Sequence, residues 1–246
     1  MPSPPAATLQ AEFLQLPSAQ TLSVDDELAQ GLLQPHPSIA PKFLYDALGS
    51  KLFEAITELD EYYPTRTEAA IFQRHRDELA LACGTGHTLV DLGAGNCAKA
   101  ASLFGALRPG RYVVVDISVD FLRRALLELQ ARHPQLPLLF YPGSSIGNFA
   151  PAAAVDFLRR VRAAAPGGGL LIGVDLLKPA QVLQRAYDDA LGVTAAFNLN
   201  LLRHVNRLLG SDFDLTQWRH VAVFDAARSR VEMHLEARCD LQVRWP

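Results

Sequence analysis

Short apolar runs alternate with helical periodicities through the middle of the chain. The apolar runs have the length of buried strands and are bounded by glycine, proline or polar residues. They lie at residues 87–92, 112–118, 138–141 and 167–177. Each of the first three leads into a segment with helical spacing of apolar residues, and these segments lie at 96–107, 120–133 and 154–165. Strands that alternate with helices of this length predict right-handed crossovers and a mainly parallel sheet.

Helices are predicted on both sides of this alternating region. Ser23 precedes an acidic first turn and an apolar stripe, which predicts an N-capped helix. Two further helices are predicted at 50–59 and 67–81, with their first residues, Ser50 and Thr67, as caps. The chain after the last predicted strand is helical and ends in a predicted β-hairpin.

These elements divide the chain into predicted parts. Residues 1–20, rich in proline, alanine and serine, are expected to form a mobile N-terminal arm. Residues 21–85 form a helical part that includes a lid, and residues 86–178 form an α/β domain. Residues 179–246, with the second helical region and the β-hairpin, form the last predicted part.

Composition and charge exclude several classes of protein. The net charge of -3 gives no positive field for nucleic-acid phosphates or an anionic membrane, so a small-molecule partner is expected. The 3 cysteines are far apart and lack a C-x-x-C pair, which argues against a disulfide framework and a cysteine zinc site. The sequence shows no secretory leader pattern and no apolar run of membrane-spanning length. We therefore expect a soluble, cytoplasmic protein, with a monomer favoured and no nucleic-acid or membrane partner.

A glycine turn at the end of the first strand is the strongest local signal. Gly93 and Gly95, within residues 90–96, permit a tight turn and a close backbone approach to a ligand. Asp116 ends the second strand about twenty residues later, where a carboxylate accepts hydrogen bonds from both hydroxyls of a ribose. The third glycine of a dinucleotide fingerprint is absent at Ala98, so the pattern favours S-adenosylmethionine over NAD. The alternatives are a glycine turn without a ligand and, for Asp116, a solvated helix cap.

Three positions outside this turn are further candidates. Asn148 follows the third strand, at the carboxyl edge of the sheet where α/β folds bind ligands, and its amide both donates and accepts hydrogen bonds. A left-handed turn is the alternative explanation for an Asn between Gly and Phe. Tyr45 and Tyr62 lie in aromatic, charged connecting segments that are typical of a lid over a ligand. The alternative for these tyrosines is amphipathic packing.

No metal or nucleophile motif occurs in the sequence. The 7 histidines are scattered, without a cluster of ligand spacing, and there is no nucleophile elbow. Asp188 and Asp189 are adjacent and point to different helix faces, so they are poor candidates for a paired acid and base. A solvated surface accounts for both carboxylates.

Several long segments resemble one family, the histidine-specific Nα-methyltransferases that make the trimethylated betaine of histidine in ergothioneine biosynthesis. The segments are PKFLYDALGSKLFEAITELDEYYPTRTEAAIF, VDLGAGNCAKA, PGSSIGNF, AYDDALGVTAAFNLNLLRHVN and VEMHL. The resemblance implies a Rossmann-like, doubly wound methyltransferase domain and a second, mixed α+β substrate-binding domain. It also implies an S-adenosylmethionine-dependent enzyme that methylates the α-amino group of L-histidine.

The resemblance further implies which residues form the site. Those expected to bind the cofactor, S-adenosylmethionine, are Asp91, Gly93, Gly95, Lys99 and Asp116. Those expected to bind the substrate amino acid are Tyr45, Tyr62, Asn148 and Tyr187. Two of these take catalytic roles, since Asn148 is expected to orient the amine and Tyr45 to hold it as it loses protons.

Two parts of the family pattern are missing from the sequence. The family has a longer connection with a strand and an adenine-contacting acidic turn where this chain has only residues 134–137, Pro-Gln-Leu-Pro. The family's Glu-x-Ser-x-Lys-Tyr segment, whose Glu and Ser recognise imidazole, does not occur before Pro246. The differences leave open an N-methyltransferase of another amino acid and a degenerate, non-catalytic relative.

Overall fold

The computed structural model describes residues 11–13, 23–116, 119–141 and 148–246. These residues form two compact units. The sheet unit contains residues 11–13 and 68–173, and the hairpin unit contains residues 23–67 and 174–246. Most of the predicted N-terminal arm, and the part of the predicted ligand loop at 142–147, lie outside the described residues.

A parallel sheet forms the centre of the sheet unit. In spatial order its strands are β1 (Glu12–Phe13), β4 (Leu138–Tyr141), β3 (Arg111–Val115) and β2 (Thr88–Leu92). The helices of this unit are α4 (Arg76–Cys83), α5 (Ala98–Leu107), α6 (Val119–Arg132) and α7 (Pro151–Ala164). All strand pairs in the sheet are parallel, which confirms the predicted sheet for β2, β3 and β4. β1 is a strand within the predicted arm that the sequence pattern did not indicate.

Packing of α6 on β3 forms the core of the sheet unit. Leu122, Leu126 and Leu129 recur at spacings of three and four residues, so they lie on one face of α6. Tyr112 and Val114 alternate along β3 and are both fully buried. Burial of these apolar surfaces stabilises the position of β3, whose carboxyl end leads into Asp116.

The hairpin unit combines helices with a separate two-stranded sheet. Its helices are α1 (Val24–Leu32), α2 (Ala47–Thr57), α8 (Ala180–Arg185) and α9 (Val193–Leu209), and its strands are β5 (Trp218–Asp225) and β6 (Arg230–Ala237). Helix α3 (Tyr63–Arg74) crosses the boundary between the two units. β5 and β6 are antiparallel, which confirms the predicted hairpin. No helix within the described ranges is long and apolar enough to cross a membrane.

Helix α9 organises the core of the hairpin unit. Phe197, Leu201 and Val205 follow one another at intervals of four residues, so they form one buried stripe. This stripe packs with Phe43 and Ile56 from the N-terminal part of the chain. The hydrophobic effect therefore joins segments that lie far apart in the sequence into one unit.

The predicted N-terminal caps of the helices that precede the sheet in the sequence are confirmed in one case and wrong in another. Ser23 caps α1, since its hydroxyl accepts a hydrogen bond from the Asp26 N–H at 3.1 Å. Asp46, and not Ser50, caps α2, because its carboxylate accepts from the Gly49 N–H at 2.7 Å. The prediction for Ser50 was wrong, since Ser50 lies inside the helix and its hydroxyl donates to the Tyr45 carbonyl.

The predicted helix at 67–81 is two helices with an earlier start. α3 begins at Tyr63, so Thr67 lies within it and the predicted cap was wrong. Pro64 occupies the first turn, where a missing N–H costs no hydrogen bond and the fixed φ suits a helix. The chain leaves helical geometry at His75, where φ is -106°, and α4 starts at the next residue.

The predicted fourth strand was wrong. Residues 167–177 form no strand, and several of their apolar side chains are exposed, including Val174 at 72% and Leu176 at 72%. The apolar run indicated a buried strand, but a strand also requires a hydrogen-bonded neighbour. Among the described residues the sheet ends at β2, because β4 pairs with the other edge of β3.

Candidate active site

The glycine turn between β2 and α5 has the backbone geometry that the sequence predicts. Gly93 and Gly95 have φ of 80° and 54°, values that favour glycine because a side chain is strained there. The Gly93 N–H donates to the Val115 carbonyl at 2.6 Å, which ties the turn to the end of β3. A Cβ placed on Gly95 would meet no atom of the described residues within 4 Å. Gly95 therefore leaves its backbone open on this side, as far as the described residues extend.

Asp116 lies beside this turn. Its Oδ2 atom accepts a hydrogen bond from the Gly95 N–H at 2.8 Å. The structure thus brings together two of the residues predicted for a cofactor site, although 21 residues separate them in the sequence. A carboxylate at the carboxyl end of a parallel strand, next to a glycine turn, is the arrangement that binds a ribose in α/β folds.

Asp91 lies beneath the turn and is 9% exposed. Burial raises the pKa of Asp91, while a hydrogen bond from Tyr112 and the charge of Lys99 act in the opposite direction. The charges of Asp116 and Glu68 also raise it, so four charged side chains influence one another around the turn. The Asp91 carboxylate accepts a hydrogen bond from the Tyr112 phenol at 2.8 Å, and its role in cofactor binding stays a prediction.

Cys97 closes the turn in a left-handed conformation, with φ of 62° and 1% exposure. Burial raises the pKa of Cys97 to about 12. The thiol is consequently protonated at neutral pH and is a poor nucleophile. Cys97 is thus a packing residue of the turn and not a candidate for covalent catalysis.

Lys99 and Glu68 form an ion pair at one side of the turn. The Lys99 Nζ atom lies 3.4 Å from the Glu68 Oε2 atom, and both side chains are about half-buried. A Cβ on Gly173 would lie 2.6 Å from Glu68 Oε1, so backbone also approaches this carboxylate closely. The sequence prediction missed Glu68, because a Glu in a helix after a tyrosine-rich segment has no pattern that distinguishes it from a surface residue.

The hairpin unit gathers the tyrosines predicted to bind substrate. Tyr45 packs edge-on against Phe53 and Phe197, with ring centroids 5.4 Å and 5.6 Å apart. Tyr62 lies 6.1 Å from Phe53 and 5.9 Å from Tyr187 by the same measure. Tyr45, Tyr62 and Tyr187 thus belong to one aromatic cluster. Their rings pack, as the alternative explanation from the sequence had it, and their hydroxyls remain the polar groups of the cluster.

Burial determines the protonation of these hydroxyls. It raises the pKa of Tyr62, with further contributions from Tyr187 and Tyr45. Burial likewise raises the pKa of Tyr187, and the charge of Asp175 adds to the effect. Both phenols are therefore neutral at physiological pH and can donate hydrogen bonds to an anionic group.

Tyr187 lies in a short turn between α8 and α9 that is held by a buried carboxylate. Asp189 accepts hydrogen bonds from the Val193 N–H at 2.9 Å and the Thr194 N–H at 2.7 Å, and so caps α9. Asp189 is 6% exposed, so the predicted solvated surface was wrong for this residue. The same prediction is confirmed for Asp188, whose side chain is 60% exposed.

Asn148 belongs to the sheet unit and is exposed at the start of the segment that leads into α7. The preceding residues of its loop, 142–147, lie outside the described residues. Its position after β4 agrees with the predicted place at the carboxyl side of the sheet. Its role in the site stays a prediction.

Comparison with known proteins identifies the family. A family model described as histidine-specific methyltransferase, SAM-dependent, matches residues 24–139 and 135–246. The chain belongs to this family. The methyltransferase is 41% identical to the histidine N-alpha-methyltransferase of Mycolicibacterium smegmatis, over 89% of this chain and 76% of that protein.

Two further relatives extend the comparison. The histidine N-alpha-methyltransferase of Mycobacterium tuberculosis is 38% identical over 91% of this chain and 77% of its own length. Ergothioneine biosynthesis protein 1 of Neurospora crassa is 31% identical over 74% of this chain but only 24% of its own length. The match therefore covers most of the length of the two bacterial proteins and one part of the larger fungal protein.

The family match also locates the internal difference noted in the sequence. The matched stretches overlap at residues 135–139, a range that includes the end of the short connection between α6 and β4 and the start of β4. This is the place where the sequence predicts that part of the family's connection is missing. The sheet of the methyltransferase has β4 directly beside β3 at this place.

Proposed function

We propose that this methyltransferase transfers methyl groups from S-adenosylmethionine to the α-amino nitrogen of L-histidine, up to the trimethylated betaine, in ergothioneine biosynthesis. The observation that carries the proposal is the similarity to two histidine N-alpha-methyltransferases, at 41% and 38% identity over about nine tenths of the chain. The relative named ergothioneine biosynthesis protein 1 supports the pathway.

The residues of the sheet unit fit S-adenosylmethionine. Gly95 offers backbone with open space above it, and Asp116 offers a carboxylate beside the same turn. A glycine turn without a pyrophosphate-binding third glycine suits an adenosyl group that carries no phosphate. Asp116 would accept hydrogen bonds from the ribose hydroxyls, and Lys99 would lie on the side of the turn bounded by Glu68. When bound, the cofactor supplies a methyl group activated by its positive sulfur.

The residues of the hairpin unit fit an amino acid. The neutral phenols of Tyr62 and Tyr187 would donate hydrogen bonds to the substrate's carboxylate, whose charge they do not oppose. Tyr45 would hold the amine as it loses protons, within the same aromatic cluster. Asn148, which belongs to the sheet unit, would orient the amine, since its amide both accepts from an ammonium N–H and donates to an oxygen.

The chemistry is a displacement in which positioning provides most of the rate. When bound, S-adenosylmethionine would supply the methyl group and leave as S-adenosylhomocysteine, while Asn148 and Tyr45 would hold the amine nitrogen so that its lone pair faces that methyl group. The amine must first release a proton, which passes to solvent or buffer. Holding the lone pair in line with the methyl group converts a bimolecular encounter into a reaction within one complex. Repeated methylation requires an amine site with room for the growing group.

The test is a product analysis with a blocked substrate as its control. The protein is incubated with S-adenosylmethionine and L-histidine, and the products are followed by mass spectrometry. Stepwise gains of methyl mass on histidine, and none on Nα-acetyl-L-histidine, are expected, because acetylation removes the nucleophilic lone pair. Methylation of the acetylated compound would place the reaction on imidazole and overturn the proposal.

A binding measurement separates the competing activities. Calorimetric titration with S-adenosylhomocysteine is expected to show binding. Binding without turnover of histidine, followed by turnover of another amino acid, would favour the alternative substrate. Absence of both binding and turnover would favour a degenerate relative.

A further inference from the structure

His220 is a buried histidine that connects three segments of the hairpin unit. It lies on β5, its side chain is 1% exposed, and both ring nitrogens are hydrogen bonded. The Nε2 atom lies 2.8 Å from the carbonyl oxygen of Tyr187, and the Nδ1 atom lies 2.9 Å from the amide nitrogen of Asn198 on α9. The Asn198 amide nitrogen also donates to the His234 carbonyl on β6 at 3.0 Å.

These neighbours fix the tautomer of His220. A carbonyl oxygen only accepts, so the Nε2 atom must carry the hydrogen that it donates to Tyr187. Asn198 directs its NH₂ group at the His234 carbonyl and thereby at Nδ1, which must accept. The result is a chain of hydrogen bonds that runs from β6 through Asn198 and His220 to the backbone of Tyr187. The carboxylate of Asp188, 4.0 Å from Nε2, is the more distant acceptor.

The chain of bonds ends on a residue of the proposed substrate site. Tyr187 follows α8, and the bond to its carbonyl fixes the turn on one side of the residue. The cap that Asp189 provides to α9 fixes the turn on the other side. The ring of Tyr187 packs against the ring of Tyr62, with centroids 5.9 Å apart. The orientation of the Tyr187 side chain therefore depends on where His220 holds its backbone.

We propose that His220 is a positioning residue for substrate binding, which acts by holding Tyr187 in place through the Nε2–H bond to its carbonyl. The inference rests on the proposed function, because it takes Tyr187 as a group that binds the amino acid. His220 would act through Tyr187 and would not itself contact the substrate. Its loss should change the affinity for histidine and leave the affinity for the cofactor unchanged.

Two substitutions separate positioning from general stability. In His220→Gln the amide nitrogen reaches the place of Nε2 and keeps the donor to Tyr187. In His220→Asn the shorter side chain keeps an acceptor for Asn198 near the place of Nδ1 but loses that donor. We expect His220→Asn to raise the KM for histidine about tenfold, the effect of one lost hydrogen bond, and His220→Gln to keep it near the wild-type value.

Asn206→Ala provides the matched control for destabilisation. Asn206 lies on the same helix α9 and makes hydrogen bonds to the loop of Ser211 and Phe213. Its removal is expected to lower the melting temperature while leaving the KM for histidine unchanged. A rise of KM in Asn206→Ala equal to that in His220→Asn would show that loss of stability alone explains the effect, and would overturn the inference.

A double-mutant cycle with Tyr187→Phe tests whether His220→Asn changes the KM for histidine through Tyr187. If His220 acts through the Tyr187 phenol, His220→Asn should cause no further rise of KM once that phenol is removed. Full additivity of the two changes, or an unchanged KM in His220→Asn, would contradict the inference. Failure of the wild-type protein to methylate histidine would instead contradict the proposed function, so the two failures are distinguishable.

Discussion

The phenol of Tyr112 donates a hydrogen bond of 2.8 Å to the carboxylate of Asp91, and both side chains are buried. They lie on the neighbouring parallel strands β3 and β2. A buried carboxylate without a donor is costly, so this bond stabilises the strand end from which the glycine turn departs. The bond thus connects the core of the sheet unit to the proposed cofactor site.

Tyr112→Phe is expected to lower the free energy of unfolding by about 1–3 kcal/mol, because the ring still packs but a buried acceptor loses its donor. Burial already raises the pKa of Asp91, and loss of the phenol raises it further. Because the pKa in the folded state lies above the unfolded value, the folded state binds more protons between the two values. Stability therefore falls as the pH rises through that window. The total fall should be larger in the variant, when the free energy of unfolding is measured by urea denaturation at several pH values.

Asp91→Asn is the control for this pH dependence. It removes the titrating group while retaining an oxygen that accepts from Tyr112. The contribution of Asp91 to the pH dependence should be absent in this variant, so Tyr112→Phe made in the Asp91→Asn background should leave the pH dependence of stability unchanged. Equal pH dependence in the wild-type protein and in Asp91→Asn would show that another group is responsible.

Asp116→Asn is expected to weaken the binding of S-adenosylhomocysteine about 10- to 100-fold, since hydrogen bonds to a charged acceptor contribute about 1.5–3 kcal/mol. Calorimetric titration measures the dissociation constant directly. Asp156→Asn serves as the control, because Asp156 is an exposed carboxylate on α7 of the same unit. Equal affinities in the two variants would exclude a role for Asp116 in cofactor binding.

The elements around the glycine turn could be predicted from the sequence because local signals agree there. The apolar runs of β2 and β3, the glycines and the helical periodicity of α5 all indicate the same strand, turn and helix. The spacing from Gly95 to Asp116 also placed these residues after the ends of two successive strands, where the structure joins them by a hydrogen bond. At the glycine turn, the local sequence pattern and the pairing of the strands favour the same structure.

Other features depended on pairing or burial that no local pattern contains. Residues 167–177 have the composition of a strand, but strand formation depends on a neighbour that the sheet does not provide. Ser50 and Asp46 are both good caps, and only the path of the chain decides between them. Tyr112 and His220 have no motif, because their roles depend on partners that are distant in the sequence.

The substrate tyrosines were predicted from the family resemblance more than from residue chemistry. Aromatic residues in connecting segments usually pack, and these rings do pack. Tyr187 lies near Tyr45 and Tyr62 only because α9 packs against α2 in the fold. Residue spacing alone does not predict this packing.

Asp46→Asn is expected to lower the free energy of unfolding by about 1–3 kcal/mol at neutral pH, because Asp46 caps α2 and accepts from Asn200 and Arg207. Burial opposes ionisation of Asp46, but hydrogen bonds from Gly49, Asn200 and Arg207 outweigh it and lower the pKa. Its contribution is therefore fully present above the ordinary value of 3.8 and is lost as the pH falls below that value.

Denaturation at neutral and acidic pH measures this difference. The stabilities of the wild-type protein and Asp46→Asn should converge as the pH falls. Asp240→Asn, which changes an exposed carboxylate of the same unit, should differ little from the wild-type protein at either pH. A constant difference between the wild-type protein and Asp46→Asn across the acidic range would contradict the role of the charge.

Tyr62→Phe is expected to raise the KM for histidine about tenfold without changing the affinity for S-adenosylhomocysteine, since one donor to the substrate's carboxylate is lost. Tyr63→Phe is the matched control, because the adjacent phenol of Tyr63 donates its hydrogen bond to Asp175. Burial raises the pKa of Tyr62 above its ordinary value of 10.0, so the hydroxyl keeps its proton beyond that pH. The ratio of KM between Tyr62→Phe and the wild-type protein should therefore stay constant from neutral pH to about the ordinary phenol pKa. A ratio that falls toward one in that range would mean that the Tyr62 phenol ionises. Equal KM values in Tyr62→Phe and Tyr63→Phe would show that Tyr62 does not bind the substrate.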